Sequence, residues 1–268
     1  MIIDSHAHVF PDRMCRATIE KLAVANPEHT LPYYNDGSVT GAKAKMAEWG
    51  IDLGIILPIA TNARQQGNVN AFALSVQEAE EAFITLGTVY PDAPDCLSVL
   101  DAVVAGGAHG LKLHPDYQGF FIDEEKMHPI YARCQALGVP ILFHTGYDPI
   151  SPGCIHATPE GIIRVAKQFP ALTMVAAHTG GLAFGEVPLD CYKGIDNLYF
   201  DTAIASITFT PEAYRRIIDC YGPHRFLFGT DNPWGDGAKD LAFFNQVSLS
   251  AEEEALIFEG NARSIFHI

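Results

Sequence analysis

The chain has 268 residues, close to the roughly 250 of a β/α barrel, so one large domain spanning 1–268 is expected rather than two. Hydrophobic residues make up 48% and charged residues 18%, a globular balance, and no apolar run approaches the roughly 18 residues of a membrane span. A formal net charge of −15 argues against nucleic acid or an anionic membrane as partner, because phosphate binding rests on clustered Lys and Arg; a small molecule is the expected partner.

The chain enters directly on Met-Ile-Ile-Asp, with neither a basic stretch nor an apolar signal core, and the expectation is cytoplasmic. Met1–Asp4 reads as the first strand, and Ser-His-Ala-His follows at its end. Alternate residues of a strand share a face, so His6 and His8 can close on one divalent metal ion. Further strand-like runs are Leu53–Pro58, Phe83–Val89, Gly110–His114, Pro140–His144, Leu172–His178, Leu198–Asp201 and Phe226–Thr230, making eight. Helical patterns lie between them at Val39–Trp49, Val69–Ala82, Cys96–Ala105, Glu124–Leu137, Pro159–Phe169 and Pro211–Tyr221, with weaker ones near Phe184–Tyr192 and Lys239–Gln246. Asp123 and Thr158 stand as N-caps, Pro159 and Pro211 fill first turns, and Gly50 and Gly138 follow C-termini. The tail, about 250–268, reads as one or two closing helices.

Eight alternations imply a parallel sheet with right-handed crossovers, and eight strands close a (β/α)8 TIM barrel; a doubly wound open sheet is the alternative. The six cysteines form no C-x-x-C pair and are expected to be reduced thiols. In such a barrel the chemistry sits at the C-terminal ends of the strands. His6 and His8, His114, His144, His178 and Asp231 all fall there, at the ends of five strands. The remaining histidines, His29, His109, His128, His156, His224 and His267, fall in helices, loops or strand starts, where surface roles suffice for most.

Asp-Ser-His-Ala-His, Lys-Leu-His-Pro, Phe-His-Thr-Gly, Ala-His-Thr-Gly-Gly, Phe-Gly-Thr-Asp-Asn-Pro-Trp and a closing Gly-Asn-Ala-Arg-Ser-Ile-Phe occur in that order over almost the whole length. In this the chain resembles the amidohydrolase superfamily, specifically the amidohydrolase-related branch that includes aminocarboxymuconate-semialdehyde decarboxylase. The resemblance implies a mononuclear site, usually Zn²⁺ with Mn²⁺ or Fe²⁺ as alternatives. It implies ligands His6, His8, His144 and Asp231, with a water completing the shell and His178 beside it. Three neutral imidazoles and a carboxylate suit Zn²⁺, and an open position makes such a site catalytic. Asp231 and His178 are then the candidate catalytic residues, Asp231 taking the proton of the water and His178 orienting it or stabilising an oxyanion. Asp4 is a candidate to orient His6 from behind.

Lys112 shares strand parity with His114, so both can face the barrel. In dinuclear relatives of the superfamily a strand-four lysine is carboxylated to bridge two metals; an internal charge or a substrate clamp is the other role for Lys112, and His114 is then a substrate contact. Trp234 can floor the pocket, and Arg64, like Arg13, lies in a loop at the active edge where a substrate carboxylate could be held. The leading expectation is hydrolysis of an amide, lactone or related ester; the alternative is non-oxidative decarboxylation of an unsaturated or aromatic acid, with hydration and a purely binding role behind them. A homodimer is an open expectation, since exposed barrel helices often dimerise.

Overall fold

The computed structural model describes residues 1–25, 30–182 and 188–268. Eight strands follow in order: β1 (Ile3–Ala7), β2 (Leu53–Ile56), β3 (Phe83–Thr85), β4 (Leu111–Leu113), β5 (Ile141–Phe143), β6 (Met174–Ala176), β7 (Leu198–Asp201) and β8 (Phe226–Leu227). All pairings are parallel, in one arc β1-β2-β3 and a second arc β4-β5-β6-β7-β8. The arcs meet at both seams. Parallel bridges join Gly87 to Leu111 and Ala7 to Asn232, and the amides of Lys112 and Ser5 bond across to the carbonyls of Gly87 (2.7 Å) and Phe228 (2.8 Å). The architecture is that of a TIM barrel, as the alternation of the sequence predicts.

The crossovers are carried by α1 (Cys15–Ala23), α2 (Val39–Trp49), α3 (Gln66–Ala79), α4 (Cys96–Ala105), α5 (Pro115–Gln118), α6 (His128–Leu137), α7 (Pro159–Gln168), the turn-like α8 (Ala177–Gly180), α9 (Ala205–Thr208), α10 (Pro211–Tyr221) and α11 (Gly237–Phe244). None of the described helices is long and apolar enough to cross a membrane. The tail forms α12 (Ala251–Ala255), a π-helical turn over Leu256–Gly260, and α13 (Asn261–Phe266). Asn261 donates to the carbonyls of Phe226 (2.7 Å) and Pro223 (2.9 Å), which ties the tail to the start of β8.

Several expectations need correction. The first strand runs past Asp4 to Ala7, because His6 and its neighbours pair with β2 and with the segment after β8. The helix placed at 69–82 occupies Gln66–Ala79, and the one placed at Lys239–Gln246 begins at Gly237, after Asp236 accepts from the Ala238 amide. Thr158 caps α7 by accepting from the Gly161 amide, whereas Asp123 caps nothing: α6 starts at His128, with Pro129 in its first turn, only after a 3₁₀ turn at Glu125–Met127, and the Asp123 carboxylate takes Arg164 at 2.7 Å instead. Of the pattern at Phe184–Tyr192, 184–187 lie outside the described residues, and 189–192 are turn. His29 also lies outside them. Helix α1 was not anticipated, although its buried Cys15, Ile19 and Ala23 recur at a spacing of four.

Strand parity sorts the core. On β4, β5 and β6, Leu111, Leu113, Ile141, Phe143, Met174 and Ala176 turn outward under the helices, while Leu142 and Val175 turn inward with Ile3, Ile55 and Leu227. Ile265 and Phe266 of α13 close that inner layer. The barrel floor is therefore apolar, and inward positions nearer the C-terminal ends, Lys112 and Asp201, are polar and fully buried.

Candidate metal centre

β1 delivers His6 and His8, and the turn after β8 delivers Asp231. His6 Nε2 and His8 Nε2 stand 3.3 and 3.4 Å from Asp231 Oδ1. Each ring is fixed from behind. His6 Nδ1 donates to Asp201 Oδ2 at 2.7 Å and His8 Nδ1 to the Leu57 carbonyl at 2.9 Å. With both protons on Nδ1, both Nε2 lone pairs are turned toward an anionic oxygen, an arrangement without a donor that a cation resolves. For bonds of about 2.0–2.2 Å a tetrahedral ion separates its ligands by about 3.4 Å, so the spacing fits a divalent metal. Burial pushes His6 well below its ordinary range, which keeps it neutral and ready to ligate. Burial works to raise the Asp231 carboxyl, but the surrounding His6, His8 and His178 rings outweigh it and hold the group below its usual range.

Asp201 is the residue that sequence reasoning missed. Fully buried at the end of β7, it shares inward parity with Tyr199, and that parity was the available signal. Besides holding His6, it accepts the His178 amide at 2.8 Å and the Ala203 amide at 3.2 Å. Asp4 acts on the backbone and not on the His6 ring: its carboxylate accepts the His6 amide (3.0 Å), the Thr230 amide (2.9 Å) and the Thr230 hydroxyl (2.6 Å), locking β1 to the turn that carries Asp231.

His144 stands in an adjoining group. His144 Nδ1 meets His178 Nε2 at 3.1 Å, and its Nε2 faces Asp148 Oδ2 at 3.6 Å. His114 stacks on it with ring centroids 4.1 Å apart and reaches Asp148 Oδ2 at 3.4 Å. Burial holds His114 and His144 well below their ordinary range. Of the four ligands implied by resemblance, then, the structure gathers His6, His8 and Asp231 and places His144 one ring away. His178 connects the two groups: its ring centroid is 5.2 Å from that of His6 and 4.8 Å from that of His144, and its Nδ1 is buried without a hydrogen-bond partner.

Lys112 is completely buried, and its Nζ has no hydrogen-bond partner. Burial pushes the amine down to about 8 against the opposing pull of Asp201 and Asp231. Arg64 and Arg13 lie exposed on their loops. Trp234 is half-buried and lines a small cavity with Tyr34, Ile204 and Asp240.

A family model described as Amidohydrolase matches residues 3–268. No curated protein matches the chain. Among solved structures, an uncharacterised TIM-barrel protein from Bordetella bronchiseptica is similar at TM-score 0.81 and 20% identity, covering 99% of this chain and 98% of that one. The 5-carboxyvanillate decarboxylase LigW from Sphingomonas paucimobilis is similar at TM-score 0.77 and 18% identity, over 100% and 99% of the two chains. The 5-carboxyvanillate decarboxylase LigW2 from Novosphingobium aromaticivorans, solved with bound manganese, is similar at TM-score 0.74 and 16% identity, over 100% and 97%.

Proposed function

The chain belongs to the amidohydrolase family of metal-dependent enzymes, and on that premise we propose that it decarboxylates a small unsaturated or aromatic carboxylic acid. The observation that carries this reading is Lys112. An ammonium buried without a partner costs stability that an anionic substrate returns, because the ion pair then forms in a dry site. Several similar structures, LigW and LigW2 among them, are those of enzymes whose names specify decarboxylation of aromatic acids, which supports the reaction type.

His6, His8 and Asp231 would hold one divalent ion, Zn²⁺ or Mn²⁺, with His144 close enough to contribute if its ring leaves Asp148. When bound, the ion supplies positive charge that fixes and polarises a substrate oxygen. Lys112 then has a defined task. Pairing with the carboxylate that departs would stabilise the ground state, so its useful partner is an oxygen whose negative charge persists or grows as CO₂ leaves. Loss of CO₂ leaves an electron pair on carbon, and a proton must replace the carboxyl group there. His178 is suited to hold that proton, since its Nε2 is fixed by His144 and its Nδ1 is uncommitted.

One observation favours hydrolysis as a second reading: Asp231 Oδ1 stands within 3.4 Å of both His6 Nε2 and His8 Nε2, where it could accept a proton from a metal-held water. A substrate panel separates the two. Aromatic and unsaturated acids are expected to release CO₂ in step with their disappearance. Cleavage of lactones or N-acyl compounds, with no CO₂ from any acid, would replace decarboxylation by hydrolysis.

A further inference from the structure

Past Asp231, the turn after β8 runs on into the wall of a cavity of about 40 Å³. Trp234 and Gly235, whose amides bond to the Asp231 carbonyl, form one side of it, Tyr34 of the long connection after β1 another, and Ile204 and Ser206 after β7 a third. Asp240 of α11 lies among them, 2% exposed. Its Oδ1 accepts the Ser206 hydroxyl at 2.5 Å, whereas Oδ2 is buried with no hydrogen-bond partner. That oxygen is turned to the cavity side: a Cβ built on Gly235 would stand 3.7 Å from it. A buried carboxylate oxygen without a donor costs stability that an incoming donor returns. The surroundings set the charge that suits the space. Asp236 also lines it, and Asp4 and Asp231 add to the negative field at Asp240. Lys239, at the rim, already shows the preference. Its ammonium lies over the Tyr34 ring, 5.6 Å from the centroid, and 3.4 Å from Asp236 Oδ2, with the side chain 64% exposed and Asp240 Oδ2 left unsatisfied.

We propose that this cavity is a binding site for the primary ammonium group of a small organic molecule, held by Asp240 Oδ2 and by the Tyr34 and Trp234 rings. An ammonium supplies the missing N–H donor, its charge meets the two carboxylates, and the aromatic rings favour a cation. A hydroxyl meets the first requirement alone. At the roughly 10–15 Å³ that one water needs, the space admits about three small heavy atoms, enough for an aminomethyl group and too little for a quaternary ammonium. A bare Ca²⁺ or Mg²⁺ fits less well, because Pro32, Ile204 and Ile207 contribute apolar wall where such an ion needs six or more oxygens. The site shares no side chain with His6, His8 and Asp231, so it stands apart from the proposed decarboxylation.

The test is tryptophan fluorescence. The chain has two tryptophans, Trp49 and Trp234, and the second lines the cavity. The protein is titrated with methylammonium chloride at constant ionic strength and about pH 8, above the value of about 7 to which burial raises Asp240. A saturating change in emission is expected, with a midpoint on the order of 10 mM for a ligand of two heavy atoms. Methanol, its neutral counterpart, should give no saturation. Asp240→Asn, with unchanged far-ultraviolet circular dichroism, should weaken binding about tenfold. Lys239→Gln, which removes a rival ammonium from the Tyr34 ring, should tighten it about threefold. Lys239 is exposed, so this variant reads the site even where Asp240→Asn fails to fold. Saturation by methanol, an unchanged midpoint in folded Asp240→Asn, or unchanged or weaker binding in Lys239→Gln would overturn the assignment. So would the absence of saturation in the wild type, which would leave the cavity to water; none of these outcomes bears on the proposed decarboxylation.

Discussion

Asp201→Asn isolates what the fold contributes to the metal centre from behind. The carboxylate accepts from three directions: His6 Nδ1 at 2.7 Å, the His178 amide at 2.8 Å and the Ala203 amide at 3.2 Å. Asparagine can keep its oxygen on the two amides, but its NH₂ then faces His6 Nδ1. Two donors cannot share that contact, so His6 must move its proton to Nε2, the nitrogen turned toward Asp231. A protonated Nε2 cannot ligate. Loss of a carboxylate behind a ligating histidine typically costs 10–100-fold in metal affinity, or about 1.4–2.8 kcal/mol. The assay is competition for Zn²⁺ against a chromophoric chelator. Thermal melting of the metal-free protein serves as the control for folding. An affinity within about twofold of the parent, with an intact fold, would refute the claim that Asp201 sets the His6 tautomer.

Lys112→Met should stabilise the metal-free protein at pH 7. Burial takes the amine from 10.5 to about 8, a penalty on the order of 3 kcal/mol that lifts between those two pH values, where the unfolded chain still holds a proton the folded chain has released. Urea titrations at pH 7 and pH 10.5 check this, and an equal gain at both would count against it. Asp240 is raised from 3.8 to about 7 by burial, against a lowering hydrogen bond from Ser206. The folded chain therefore keeps a proton that the unfolded chain loses, and stability falls as pH rises from about 4 to 7. Asp4, raised to about 7 by burial, contributes in the same direction, so Asp240→Asn should reduce that slope without abolishing it; an undiminished slope would refute the role of Asp240. Gly181 and Gly50 both have left-handed backbones, with φ 73° and 76°, but an added Cβ meets the Gly146 Cα at 2.9 Å at the first and nothing within 4 Å at the second. Gly50→Ala should cost about 1 kcal/mol and Gly181→Ala at least about twice that in urea unfolding, with equal costs the refuting result.

The sequence disclosed the strands because each is a short apolar run whose alternate residues pack on opposite sides, and the ends of those runs carry the histidines. Parity alone places Lys112, His144 and Asp201 inside the barrel, since Leu111, Leu113, Ile141, Phe143, Leu198 and Phe200 have to cover its outside. It could not rank them. Asp201 looks in sequence like any polar residue closing a strand, and only the 2.7 Å contact with His6, across 195 positions, gives it a task. Asp148 was equally hidden, because it sits in a loop whose course depends on tertiary contacts rather than on periodicity. The same limit explains His144. Its position at the end of β5 was legible, but the direction of its ring is set by His114 stacking and His178 hydrogen bonding, neither of which is local in sequence.

Backbone conformation was also hidden, and it bears on function. Asp231 (φ 63°) and His178 (φ 55°) both occupy the left-handed region, where a non-glycine residue costs about 1–3 kcal/mol. Such conformations persist only if their surroundings enforce them. At Asp231, the amide and hydroxyl of the preceding Thr230 are held by Asp4, while the Asp231 carbonyl accepts the amides of Trp234 (2.7 Å) and Gly235 (3.1 Å). At His178, the amide is held by Asp201, and the carbonyl accepts from Gly181, which is itself pressed on Gly146 of the preceding loop. Two buried carboxylates thus hold two strained residues. An extended backbone at either position would carry its side chain along the strand and away from the metal-ligating group, whereas the left-handed turn folds it back across the mouth of the barrel. Thr179, Ile204, Ser248 and His267 share that region, but Asp231 and His178 are the two among them that the proposed chemistry uses, and Asp4 and Asp201 help hold them there.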